Sequence, residues 1–231
     1  MPNTVKNTTF PGLFDLLAPH SCRGCGHIGS VLCDRCKNYI KDNHQAICPY
    51  CKAPTKSGKC PNCPNLPPTY IIGERSGLLG DIVHDYKYHS IRALAYPLAS
   101  LMHDFLPLQN EPSTIIPLPT IDRHIRSRGF DHTKLIAKHL SKLEGPHCTT
   151  KELLVRTKNT TQVGTDRSTR ITQASSAYAL APHIVLNPDL TYILLDDVWT
   201  TGASMRACIK ILQQAGVSKI ILALLSLSRL D

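Results

Sequence analysis

The run TYILLDDVWTTGAS, residues 191–204, carries an apolar stretch into two adjacent acids, Asp196 and Asp197, and then into hydroxyls and a glycine. Neighbouring carboxylates accept hydrogen bonds from vicinal sugar hydroxyls or face a hydrated Mg2+. Thr200, Thr201 and Ser204 add hydroxyl donors, and Gly202 allows close backbone approach. A helix starting there presents N–H groups that lack internal partners and carry partial positive charge. That second half suits a phosphate. One ligand asks for both halves: a ribose bearing a 5′-phosphate.

A different chemistry lies towards the N-terminus. Eight of the ten cysteines fall in four pairs, Cys22/Cys25, Cys33/Cys36, Cys48/Cys51 and Cys60/Cys63. Each has the two-residue gap that lets a tight knuckle point both sulfurs at one tetrahedral ion. Disulfides across such gaps are strained. In the first twenty residues Asp15 interrupts the apolar patch and no small-residue cleavage site follows, so a secretory signal and an oxidising compartment are disfavoured. Metal is the expected partner, with Zn2+ the favoured ion and an iron–sulfur cluster the competitor. Sequential pairing makes two zinc ribbons with loops of seven and eight residues; a cross-braced pairing is the alternative. Four filled ligand positions per ion leave none for catalysis, so the module reads as a clip supplying about 10 kcal/mol per site. Cys208 shares a helical face with Ile211, Leu212 and Ala215 and reads as core, while Cys148 reads as incidental in the turn EGPHC.

The 231 residues are 42% hydrophobic with no apolar run long enough to span a bilayer, which predicts a soluble chain with one main domain and something smaller. The formal charge is +9. Eight thiolates around two Zn2+ ions remove four charges, leaving about +5. A polyanion partner is allowed by that balance, not required.

The acids need a strand to carry them and a helix to follow. PNLPP, residues 64–68, is a stiff exit from the cysteine module. It divides the chain into a lead segment (1–19), a double zinc-ribbon module (20–66) and a main domain (67–231). Strands are expected at TYIIGER, STIIPLP, KELLV, LTYILLDDV and VSKIILALL. Helical spacing runs from Gly77 to Leu106, broken near His89–Ser90 and again at Pro97. Asp131 caps a helix with Ile136, Leu140 and Leu143 on one face, and ASMRACIKILQQ makes another, closed by Gly216. Strand and helix alternating, with near-continuous apolar strands, predict an α/β fold with a parallel sheet covered on both faces. Ligands of such sheets sit beyond the carboxyl ends of the strands, where Asp196 and Asp197 fall.

ILLDDVWTTGAS resembles the PRPP-binding loop of type I phosphoribosyltransferases. The resemblance implies that Asp196 and Asp197 bind ribose and that the loop through Val198, Trp199, Thr200, Thr201, Gly202, Ala203 and Ser204 wraps the 5′-phosphate, with Mg2+ accompanying PRPP. IIPLPTIDRHIRSRGFDHTKLIA, the eight cysteines and the KYH stretch around Lys87 resemble the ComF/GntX family, whose fold is the type I phosphoribosyltransferase sheet behind an N-terminal zinc module. By position the loop from Pro119 to Arg128 corresponds to the pyrophosphate loop, with Pro119, Thr120, Arg126 and Arg128 as its contacts. A third match, residues 156–178, fits at Arg156, Thr160, Gln162, Arg170 and Tyr178, with Gln173 and Thr165 departing from the family's Asn and Leu; it reads as a flap over the site.

Two functions fit. One is an Mg2+-dependent phosphoribosyltransferase of unknown acceptor, for which no general base or base-reading pocket stands out. The other follows from the ComF resemblance: a cytoplasmic factor of natural transformation that handles incoming single-stranded DNA, with a competence helicase as a possible partner. Arg123, Arg126, Arg128, Lys134, Lys138 and Lys142 form a basic strip able to track a phosphate backbone. Tyr50, Tyr86, Tyr88 and Trp199 are the candidate base-stacking platforms.

Overall fold

The computed structural model describes residues 20–108, 110–157 and 177–228. Its sheet is parallel throughout, in the order β1-β7-β6-β2-β3. The strands are β1 (Thr69–Glu74), β2 (Ser113–Pro117), β3 (Cys148–Thr150), β6 (Thr191–Trp199) and β7 (Ile220–Leu227). A separate antiparallel pair, β4 (Leu154–Arg156) and β5 (Tyr178–Leu180), stands apart from it. The helices are α1 (Asp34–Asp42), α2 (Gly77–Tyr88), α3 (Ala95–Phe105), α4 (Asp122–Arg128), α5 (His132–Glu144) and α6 (Ala203–Gln214). This is the α/β fold with a parallel sheet covered on both faces that the sequence implies, with two four-cysteine groups ahead of the first strand.

Both faces of the sheet are covered, which is why its strands are apolar on both sides. One core packs Ile72, Ile115, Ile193 and Leu195 under residues of α2, α3 and α5, among them Ile82, Leu98, Leu101 and Leu140. The other packs Ile116, Leu194, Leu222 and Leu224 under Met205, Cys208, Ile209 and Leu212 of α6. Cys208 is therefore core, but its face runs through Met205 and Ile209, while Ala215 is exposed.

Several local expectations change. Pro97 does not break its helix, because it stands in the first turn of α3, where a missing N–H costs no intrahelical bond. Cys148 is not a turn residue but the buried first position of β3, an edge strand of three residues too short to show a period. The arginine-rich loop is largely a helix: α4 spans Asp122–Arg128 and closes at Gly129, whose φ of 80° is the left-handed cap. Val198 and Trp199 belong to β6 rather than to the loop, since Trp199 still pairs with Leu227 of β7. The N-terminal lead and the flap positions Thr160, Gln162, Thr165, Arg170 and Gln173 lie outside the described residues. No described helix is long and apolar enough to cross a membrane.

Candidate functional site

Chain connectivity decides where a ligand can enter. The connection leaving β2 runs outward to β3, whereas the one leaving β6 runs the other way to β7. The crevice beyond these two adjacent strands is the switch point at which open α/β sheets bind ligands. β2 stops at Pro117, opposite Leu195, so on that side Asp196 and Asp197 project past the end of the partner strand. Towards β7 the strand continues to pair, which anchors the acids.

Successive strand residues face opposite sides, and the two acids divide accordingly. Asp197 turns towards α2 and α5, where Oδ2 receives Lys87 Nζ at 2.6 Å and His132 Nε2 at 2.8 Å. Asp196 turns towards β5 and α6, and its Oδ1 accepts the Asp197 backbone N–H at 2.9 Å. Burial and the negative charge of Asp197 push the Asp196 carboxyl well above the usual carboxylate range. Burial acts on Asp197 in the same sense but is outweighed by the His132 hydrogen bond and the Lys87 charge, which hold it well below that range. The pair thus separates into an acid that tends to keep its proton and one that stays ionised.

His132 is the linchpin of that arrangement. Arg128 Nη1 donates to its Nδ1 at 2.6 Å, and a guanidinium can only donate. The ring proton therefore sits on Nε2, facing Asp197. The buried Tyr86 hydroxyl donates to the His132 carbonyl at 2.7 Å and fixes the start of α5. That start is also capped by Asp131, which accepts the Lys134 N–H.

Two cavities meet at the acids, sharing Lys87, Tyr88, Asp196 and Asp197 in their walls. The first, of about 360 Å3, is lined by Pro119, Thr120, His124, Arg128, Arg156 and Tyr178. The second, of about 280 Å3, is lined by Arg75 and by residues 198–205. Cations and hydroxyls thus lie on both sides of a central carboxylate pair. Such a groove takes an anion at each end and hydroxyls in the middle. Over the first cavity, β4 and β5 place Arg156 Nη1 against the Tyr178 hydroxyl at 2.9 Å.

The predicted site residues separate on this geometry. Residues 196–204 stand together, and Pro119, Thr120 and Arg128 face them across the first cavity. Arg126 is exposed and does not line it. Arg123, Arg126, Lys138 and Lys142 are exposed along α4 and α5, while Lys134 is tied to Glu152 at 2.6 Å. Two of the four stacking candidates are buried, Tyr86 at 0% and Trp199 at 3% exposure, so they offer no face to a base; Tyr50 and Tyr88 remain exposed. Sequence reasoning missed His132 and Arg75. A signal existed for both. His132 precedes Ile136 and Leu140 at four-residue spacing, on the apolar face of its helix, and Arg75 follows immediately on the carboxyl end of β1.

The loop that follows β6 depends on Gly202. Its φ is 70°, and a Cβ there would lie 2.1 Å from Cζ2 of the buried Trp199. Gly202→Ala must displace the indole or reshape the loop, at about 1–3 kcal/mol. The expected result is a folded protein with lowered stability and a red-shifted emission from its single tryptophan. Unchanged emission and an unchanged urea midpoint would refute the packing.

The cysteines form two separate groups, Cys22, Cys25, Cys33, Cys36 and Cys48, Cys51, Cys60, Cys63, each with its sulfurs within 4.8 Å of one another. Sequential pairing is therefore the arrangement present. Cys25–Cys33 and Cys51–Cys60 sulfur distances of 3.6 and 3.4 Å approach the edge of about 3.8 Å of a tetrahedron with 2.3 Å bonds. Each group can hold one zinc ion. In the first, Cys33 caps α1 and Cys36 lies in its first turn. Each group also touches the main sheet's helices: Arg23 Nε bonds Asp85 of α2 at 2.7 Å, and the Arg206 guanidinium of α6 lies over the Tyr50 ring at 5.8 Å.

No family model matches the chain. It is 28% identical over 216 residues to competence protein F of Haemophilus influenzae (strain ATCC 51907 / DSM 11121 / KW20 / Rd), a likeness that covers 86% of this chain and 92% of that protein. A solved structure of the allosteric regulatory enzyme of purine biosynthesis superposes with a TM-score of 0.34 at 12% identity, covering 62% of this chain and 30% of that chain. This chain thus spans less than a third of that structure's length. The likeness to competence protein F runs over most of both chains, in keeping with the ComF/GntX resemblance of the motifs.

Proposed function

We propose that the protein binds PRPP with Mg2+ and acts in natural transformation, handling incoming single-stranded DNA in the cytoplasm. The observation that carries the ligand assignment is the pair of cavities meeting at Asp196 and Asp197. Asp196 accepts a ribose hydroxyl or faces the hydrated metal. Asp197, anchored by Lys87 and His132, accepts the second hydroxyl. The 5′-phosphate lies in the loop of Thr200, Thr201, Gly202, Ala203 and Ser204, with Arg75 nearby, and the pyrophosphate lies on the Pro119, Thr120 and Arg128 side. The role in competence is supported by the name of the relative, competence protein F. Zn2+ in both cysteine groups holds the N-terminal module against α2 and α6.

DNA is assigned to a different surface. A deoxyribose has no 2′-hydroxyl and its 3′-oxygen is esterified, so a carboxylate pair built for a cis-diol repels a phosphodiester. The exposed Arg123, Arg126, Lys138 and Lys142 form a strip outside the cavity; of the stacking candidates, Tyr50 is an exposed ring outside it, whereas Tyr88 lines it. A competence helicase is a further partner in this reading.

The assignment is tested by titrating Mg–PRPP by calorimetry, with Trp199 emission reporting the phosphate loop. Asp196→Ala and Arg128→Met are each expected to weaken PRPP at least about tenfold, the scale of a lost charge-assisted hydrogen bond. Arg126→Met should leave PRPP binding unchanged and lower single-stranded DNA affinity with a reduced salt slope. DNA binding without any heat or emission change from PRPP overturns the ligand assignment. The second reading is an active Mg2+-dependent phosphoribosyltransferase, favoured by the Arg156–Tyr178 pair roofing the cavity at the sugar's reactive end. Release of pyrophosphate from PRPP in the presence of an amine or base would establish it.

A further inference from the structure

The geometry points to a third metal site, built by His84, Asp85 and His89 at the C-terminal end of α2, that takes a divalent transition metal through two imidazoles and one carboxylate. The three donor atoms lie within 4.8 Å of one another. Two imidazoles and a carboxylate form a ligand set suited to Zn2+, Co2+ or Fe2+ and unsuited to Mg2+ or Ca2+, which take oxygen. His89 Nδ1 already sits 2.8 Å from Asp85 Oδ1, so an ion there replaces a single proton between them. The His84 ring lies 5.0 Å from that of His89 and packs at 5.0 Å on Tyr88. Bonds of 2.0–2.1 Å put tetrahedral ligands about 3.4 Å apart, and both imidazoles are exposed and free to close to that spacing.

Two further features belong to a ligand site. Asp85 is buried, and its second oxygen accepts Arg23 Nε at 2.7 Å, which fixes the carboxylate with Oδ1 towards His89. Ligating carboxylates are held by such outer hydrogen bonds. The Arg23 charge opposes a cation, and the opposition is offset by the carboxylate itself and by the negative end of the α2 dipole, for which His89 is the C-cap residue. The set shares no residue with the cysteine groups and contains no thiolate, so its ion is spectroscopically distinct from theirs.

Full-length protein without an affinity tag, its cysteine groups loaded, is dialysed against micromolar free Co2+. Thiolate-bound Co2+ shows intense sulfur-to-metal charge transfer; an ion held by nitrogen and oxygen adds only weak visible bands. The wild type is expected to take up three ions per chain. His84→Ala is expected to weaken the third by at least tenfold, and His84→Ala/His89→Ala to stop at two while keeping the full charge-transfer intensity, which shows that the variant is folded. A wild type that stops at two ions, or a third ion that persists in the double variant, overturns the site.

Discussion

Cys36→Ser is expected to lose one zinc ion per chain and to lower the stability of the whole protein, whereas Cys51→Ser loses an ion and leaves the main unfolding transition nearly in place. The difference comes from packing. Cys22, Val31, Leu32, Cys36 and Ile40 are buried in the same core as Ile72, Leu79, Ile82 and Val83, so the first cysteine group is part of the wall of the main domain. Around the second group, Ile47 and Leu66 are only partly buried against the opposite core. A structural zinc site is worth about 10 kcal/mol, comparable with the roughly 5–15 kcal/mol that hold a whole domain folded. Urea denaturation followed by Trp199 emission, which reports the sheet, together with zinc release followed by a chromophoric chelator, separates the two variants. Equal shifts in both, or none in Cys36→Ser, would sink this account.

Asp197→Asn is expected to cost about 3–5 kcal/mol at neutral pH, because it strands a half-buried ammonium beside a buried imidazole. The Asp197 side chain is 6% exposed and that of Lys87 is 20% exposed, so water cannot replace the lost carboxylate. The pH dependence has a definite sign. A carboxyl depressed in the folded state stabilises fully above its unfolded pKa of about 3.9 and stops doing so as pH falls through the folded value. Asp197's own contribution to the gap between wild type and variant should stay level from pH 8 to pH 5 and be lost below about pH 4. Asp196 works in the opposite direction: raised by burial and by Asp197, it erodes stability as pH climbs above the ordinary carboxylate range. Loss of its charged neighbour brings that carboxyl back down, so the variant should lose less stability than wild type over that alkaline limb. Urea midpoints measured across the range check both limbs, and a gap that already closes between pH 7 and pH 6 would show that Asp197 is not held ionised.

What residue order determined alone was the local chemistry. Pairs of cysteines two residues apart point both sulfurs of a tight turn the same way, and the structure gathers the four pairs into two groups of four able to hold an ion each. A strand of Ile, Leu and Tyr that ends in two acids before a Gly-opened helix places carboxylates and backbone amides at one edge of the sheet, and the sheet with its helices on both faces follows from continuous apolar strands. Short or context-held elements were not legible: β3 pairs over only three residues, and α4 reads as a polar loop because no apolar face marks it. Only the tertiary structure set Lys87 and His132 on Asp197, divided Arg128 from Arg126, buried Trp199 under Gly202 and brought His84 and His89 to Asp85. Those relations join residues on different elements or pick one face of a helix over another. Sequence spacing carries the period of an element, but which faces meet is decided by how cores close on both sides of the sheet.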